Sequence, residues 1–163
     1  MLRIFVHDNQ TSKLEEITDP KQMLTAVSDT QKTVWVDFAK PSQEEAKLLE
    51  EGFHFHPIAI ESAMKEGERP KFYSYGNYSF LLMEATAASN KGSVVKLSQF
   101  SAFISKNYLV TVHQKDVNFI EDAINTIKSE PELLNRGVGF LLYNLLDGLI
   151  ANYFPYLIRL IIS

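Results

Sequence analysis

The stretch Thr33-Val34-Trp35-Val36-Asp37-Phe38 is β-branched or aromatic on both alternating sets of positions until Asp37. A strand with one wet face alternates polar and apolar residues. A run that is apolar on both sets predicts a central strand covered on both sides. Outward toward the start, residues 3–6 read as a strand and residues 14–17 as a second, weaker one after the polar turn Asp8-Asn9-Gln10-Thr11. Asp19-Pro20 closes that strand and opens a short helix around Met23, Leu24 and Val27. In the other direction, Pro41-Ser42-Gln43-Glu44-Glu45 opens a helix. Ser42 and Glu45 have the spacing of a capping box, in which each side chain satisfies a free backbone N–H at the helix start. Ala46, Leu48, Leu49 and Phe53 supply its expected buried face. His56 then stands at a cap position, with Pro57 pre-shaped for the first helical residue. Gly67 is the expected stop of this second helix.

Four strand-like runs follow without a helix between them, at 71–75, 78–85, 94–104 and 108–113, turned at Gly76-Asn77 and at Ser105-Lys106-Asn107. Asp116 is the expected cap of a helix whose apolar face is Ile120, Ala123, Ile124 and Ile127, and Pro131 follows its end. A long helix begins near Val138 with the stripe Leu142, Leu145, Leu146, Leu149, Ile150, Tyr153 and Leu157, and Pro155 is expected to bend it or sit at a joint. Strands and helices mixed in this order predict an α/β fold with a mixed parallel and antiparallel sheet between helical layers. Residues 1–136 form the expected core and 137–163 a C-terminal helix.

At 163 residues and 18.6 kDa, with 45% hydrophobic and 22% charged residues, the chain is long enough for one packed core and has ordinary globular usage. It contains no cysteine, which excludes disulfides, thiolate metal sites and a cysteine nucleophile. The net charge of −4 is uneven: residues 1–70 hold 8 Lys/Arg against 13 Asp/Glu, and residues 71–163 hold 8 against 7. No basic stripe results, so no nucleic-acid partner is expected. Asp147 and Arg159 interrupt the apolar C-terminal third, which favours a buried amphipathic helix over a membrane span.

No phosphate-binding glycine loop, no His-Glu-x-x-His and no Gly-x-Ser-x-Gly occurs. His54 and His56, two apart on an extended segment, would point to one side and could share a metal, with Glu61 reaching back from the next helix. The alternative is that His56 caps the helix and His54 is a surface or packing residue. His7 and His113 sit at strand ends without a signature. Arg69-Pro70-Lys71 reads as a turn with an ordinary salt bridge, or as an anion contact.

Four segments, in order, resemble one family: 34–37 with 41–45, Phe55-His56-Pro57-Ile58-Ala59-Ile60-Glu61, Glu68-Arg69-Pro70-Lys71 with Tyr75 and Tyr78, and 141–147 with Tyr153-Phe154-Pro155. The strand ending Asn107-Tyr108-Leu109-Val110-Thr111-Val112-His113 fits as well. The set is similar to the N-terminal cytoplasmic domain of CorA-type magnesium transporters. The resemblance implies an α/β/α sandwich that ends in the start of a long stalk helix. It implies a homopentameric channel in the cell membrane for Mg²⁺, with Co²⁺ and Ni²⁺ also carried, and a sister branch for Zn²⁺. The two membrane helices and their Gly-Met-Asn loop would follow this chain, which reads as a piece of a longer protein.

The family senses Mg²⁺ through carboxylates between protomers. Its Glu-Asp pair at the end of the His-Pro helix is Glu61-Ser62 here, and its acids before the Tyr-Phe of the last helix are Ala151 and Asn152. The resemblance therefore implies a weakened metal site of Glu61, Ser62 and Asn152. No resident cofactor is expected, and Mg²⁺ or another divalent cation would be the regulatory ligand. The implied function is a cytoplasmic regulatory domain without enzymatic activity. The alternatives are the zinc-handling branch, for which His54 and His56 are the hint, and a free-standing metal enzyme using His54, His56 and Glu61.

Overall fold

The computed structural model describes residues 1–87 and 96–162, with only the backbone described at 86, 87, 96 and 151–162. Among the described residues seven strands form one sheet: β1 (Leu2–Asp8), β2 (Lys13–Ile17), β3 (Lys32–Ala39), β4 (Lys71–Ser74), β5 (Ser79–Ala87), β6 (Lys96–Ile104) and β7 (Tyr108–His113). Their order across the sheet is β2-β1-β3-β7-β6-β5-β4. The β3–β7 pair is parallel and every other pair antiparallel. The run from β4 to β7 is a meander, because Gly76, at φ +87°, and the turn after Ile104 reverse the chain too tightly for a crossover. The third of the four expected strand runs, 94–104, is described from Lys96 onward.

The helices are α1 (Pro20–Val27), α2 (Gln43–Lys47), α3 (Pro57–Met64), α4 (Asn118–Ser129) and α5 (Val138–Ile162). They cover both sheet faces. Ile4, Val34, Val36, Phe38 and Val110 meet Met23 of α1 and Ala59 and Ala63 of α3 on one side. Phe5, Trp35 and Leu109 meet Ile120, Ile124, Leu141 and Leu145 of α4 and α5 on the other. This is the expected mixed sheet between helical layers. Residues 33–38 are buried throughout, which is why both alternating sets had to be apolar.

Local chemistry explains the helix starts. The Glu45 N–H donates to Ser42 Oγ at 3.1 Å and the Ser42 N–H to Glu45 Oε1 at 3.0 Å, completing the capping box. Asp19 caps α1 by accepting from the Lys21 N–H at 3.0 Å.

Four local expectations are corrected. After Lys47 the chain widens into a π-turn (Leu48–Gly52) that sinks Leu49, while Ala46, Leu48 and Phe53 are only half-buried. The α3 helix stops at Met64, before Gly67. Val117, not Asp116, is the residue before α4, and no side chain caps that helix; Val117 is drawn into the core instead. In α5 the buried line is Val138, Leu141, Leu145 and Leu149, whereas Leu142 and Leu146 are half-buried and Ile150 is exposed. The α5 helix runs through Pro155 without interruption, and the side chains of Tyr153 and Leu157 lie outside the described residues. Where α4 crosses α5, a Cβ on Gly148 would stand 3.0 Å from Phe119 Cβ, so glycine permits this close approach. Among the described residues no helix is long and apolar enough to cross a membrane.

The β2 edge is held by charge. Glu16 accepts from Arg3 Nε at 2.9 Å and faces Lys128 of α4 at 3.3 Å. The hydrogen bond from Arg3 leads the effects that hold the Glu16 carboxyl below the usual range, against burial. A lowered carboxylate contributes stability above its unfolded value of about 4.3 and loses it as pH falls through the folded value. Amide protection in β2 is expected to fall in acid below that value, with a smaller loss in Glu16→Gln, as hydrogen exchange would measure.

Candidate functional site

Helix α3 carries two of the three expected metal ligands. Its start is set by His56, whose Nδ1 accepts from the Ile58 N–H at 3.1 Å, with Pro57 next. The His56 ring stacks on Tyr75 with centroids 5.3 Å apart, and its backbone N–H donates to the Tyr78 hydroxyl at 2.7 Å. Phe55 is buried and stacked on Phe103 of β6 at 4.0 Å. These rings press the start of α3 onto the sheet.

The capping alternative for His56 therefore holds, and the shared-metal geometry does not. His54 is not extended: its φ is +59°, the left-handed conformation that ends the preceding turn. With Nδ1 of His56 engaged as the cap acceptor, no pair of free imidazoles converges. Among the described residues no three His, Asp or Glu side chains form a group that could hold a metal ion.

Glu61 and Ser62 are neighbours in sequence that face opposite ways. The Glu61 side chain is 60% exposed and pairs with Lys65 one turn on. That hydrogen bond, with the lysine's charge, lowers the Glu61 carboxyl below its ordinary range and raises the Lys65 ammonium. Ser62 is buried. Its hydroxyl accepts from Lys71 Nζ at 3.3 Å and its carbonyl accepts from the Gln99 side chain. A groove of about 360 Å³ between α3 and β4 is lined by Ser62 and Lys71, with Ile58 and Tyr73 exposed beside it. The side chain of Asn152 lies outside the described residues, as does that of Ala151.

Residues that the sequence reading passed over anchor this segment. Gln99, buried on β6, also accepts from the Glu68 N–H at 3.2 Å. Glu66 accepts from the Gln99 N–H at 3.3 Å and from Ser98 Oγ at 3.4 Å. Lys71 pairs with Glu68 at 3.3 Å, the ordinary salt bridge expected around Arg69-Pro70-Lys71. The chain from Ser62 to Glu68 is thus bolted to β6 through Gln99 and Ser98, and Glu61 remains the outward-facing carboxylate of the expected pair.

Residues 30–161 match the family model described as CorA-like Mg2+ transporter protein. The chain is 32% identical over 126 residues to a Bacillus subtilis (strain 168) protein, "Putative metal ion transporter YfjQ", covering 77% of this chain and 38% of that one. In structure it is similar to the soluble domain of CorA from Methanocaldococcus jannaschii, with a TM-score of 0.73 at 19% identity over 96% of this chain and 59% of the other. It is similar too to the ZntB cytoplasmic domain from Vibrio parahaemolyticus, with a TM-score of 0.74 at 14% identity over 97% and 62%. These two likenesses show the α/β fold. The chain spans well under half the length of YfjQ. The family model covers most of the chain, including β3, α3, the meander and α5, and this chain belongs to the CorA-like Mg2+ transporter family.

Proposed function

We propose that this chain is the cytoplasmic regulatory domain of a CorA-like divalent-cation transporter that carries Mg²⁺, with Co²⁺ and Ni²⁺ as further cargo, and that it has no catalytic role. The observation that carries this reading is the family match over residues 30–161. Residues 1–136 are the core, and 137–163 lead toward a stalk and membrane helices that make the full-length protein a homopentamer. The regulatory ligand is Mg²⁺, held weakly by Glu61 with Ser62 and Asn152 as neutral oxygens. Mg²⁺ wants hard oxygen ligands and keeps several waters, so one exposed carboxylate can serve it through water. Ser62 contributes only after Lys71 releases its hydroxyl.

Uptake of Mg²⁺, Co²⁺, Ni²⁺ and Zn²⁺ by the full-length protein tests the proposal. Mg²⁺ uptake is expected; uptake of Zn²⁺ alone would place the protein in the zinc-handling branch. The 163-residue chain by itself is expected to run as a monomer or a weak, non-native oligomer in light scattering, since the stalk and membrane parts hold the pentamer, and a stable pentamer would contradict this.

Lys65 competes with any ion for Glu61. Exposed ion pairs are weak, so Lys65→Ala is expected to tighten Mg²⁺ binding only about two- to fivefold by titration calorimetry. Glu61→Ala is expected to abolish it.

A further inference from the structure

On the α4–α5 face of the sheet, a chain of hydrogen bonds ends in a proton shared by two buried groups. Trp35 Nε1 donates to Thr111 Oγ1 at 3.0 Å, so that hydroxyl donates onward to Asp37 Oδ1 at 2.5 Å. His113 Nε2 lies 3.1 and 2.9 Å from the two Asp37 oxygens, and Nδ1 lies 2.8 Å from the Lys115 carbonyl oxygen. A carbonyl only accepts, so Nδ1 carries a hydrogen. The other ring nitrogen faces a carboxyl group, so a second proton belongs between Nε2 and Asp37. Without it, a lone pair would face a carboxylate where both side chains are only 4% exposed.

The surroundings favour keeping that proton. Asp116 and Glu121 face the site from the turn and from α4; Arg3, on β1, and Met1, whose amino group is engaged by the Ala39 carbonyl and Glu45, also line it. Arg3 is engaged by Glu16 and Glu121. From β6, Phe100 stands opposite His113, and α5 brings Leu141 and Leu145 to this face. Burial alone would lower the His113 pKa, but the hydrogen bond and charge of Asp37, the Lys115 carbonyl and Asp116 outweigh it, and the pKa is raised. A cavity of about 410 Å³ at the ends of β3 and β7 is lined by both Asp37 and His113 and gives protons a route.

What this pair holds is the entry to α4. The His113 carbonyl accepts from the Lys40 N–H at 2.7 Å, its ring ties down Lys115, and α4 begins at Asn118 with no side-chain cap. Phe119 of α4 then seats against Gly148 of α5. We propose that Asp37 and His113 form a proton-operated latch: with the shared proton they fix the turn that sets α4 against α5, and without it the turn loosens, so the packing of α5 responds to protons.

The test uses the 163-residue chain, with ring-labelled histidine NMR and amide exchange corrected for intrinsic base catalysis, from pH 6 to pH 9. The His113 ring is expected to titrate above its ordinary value of about 6.5. Opening of the α4 amides is expected to rise at least tenfold across that titration, while α1, on the opposite face, does not respond. His113→Gln is expected to open equally at both ends of the range. Opening of α4 that ignores pH in the wild type, or that keeps the wild-type pH dependence in His113→Gln, would overturn the proposal. The wild-type comparison stands alone if the variant does not fold.

Discussion

Phe103→Ala is expected to lower stability by about 3–5 kcal/mol, the range for truncating a fully buried phenylalanine. Phe103 has no exposed surface; it stacks on Phe55 at 4.0 Å and packs against Phe80 at 4.9 Å and Tyr78 at 6.1 Å. Its loss leaves a cavity that these rings cannot close, because Phe55 is fixed by the turn before α3 and Tyr78 by its hydrogen bond to the His56 N–H. For a domain of this size each kcal/mol moves Tm by roughly 2–4 °C, so a fall of about 10 °C in a calorimetric scan is expected. The effect reaches the candidate site, since Phe55 and His56 set the start of the helix that carries Glu61 and Ser62. Phe103→Leu, which keeps most of the volume, is expected to cost less than half as much.

Asp37→Ala is expected to cost a similar amount for an electrostatic reason. Removing one partner of a buried pair leaves the other charge without compensation, typically about 3–5 kcal/mol. Here the His113 ring must either carry its charge uncompensated or give up the proton that Asp37 holds there, and Thr111 loses its acceptor at the same time. The pH dependence separates this from simple loss of packing. A histidine whose folded pKa is raised contributes stability that is complete below its unfolded value of about 6.5 and is lost as pH rises through the folded value. The wild type should therefore lose this increment on going alkaline, while Asp37→Ala, lacking it throughout, should lie furthest below the wild type near pH 6. Urea denaturation at pH 6 and pH 9 measures the difference; an equal gap at both would show that the pair contributes no charge.

Where one local rule sufficed, the sequence was readable. The capping box at Ser42 and Glu45 needs only a spacing of three, and the His56-Pro57 start needs only adjacent residues. The burial of 33–38 follows from apolar residues on both alternating sets. Reading failed where a distant partner decided. Asp37 and His113 are 76 residues apart and meet only because β3 and β7 pair in parallel; either alone looks like a stray polar residue at a strand. Gln99 lies 37 residues from Ser62 and gave no signal of its own. The α5 stripe was misplaced for another reason. A helix apolar nearly all round has no sharp period, so the line Val138, Leu141, Leu145, Leu149 is chosen by contact with α4 and the sheet rather than by the sequence of α5 itself. Likewise Asp116 has a capping side chain, yet burial of Val117 moves the start of α4 past it.

At the candidate site the resemblance supplied Glu61 and Ser62 as a pair, and the helix geometry separates them. An aspartate at position 62 would meet Lys71 Nζ before it met a solvent ion, because the present hydroxyl is already 3.3 Å from that ammonium. Ser62→Asp alone is thus expected to strengthen Mg²⁺ binding little, and more when Lys71 is also replaced by alanine.

The most direct test of the regulatory role is Mg²⁺ influx through the full-length protein in vesicles loaded with increasing internal Mg²⁺. Influx is expected to decline as internal Mg²⁺ rises, and the decline is expected to be lost in Glu61→Ala. Influx that ignores internal Mg²⁺, or a response unchanged in Glu61→Ala, would contradict it.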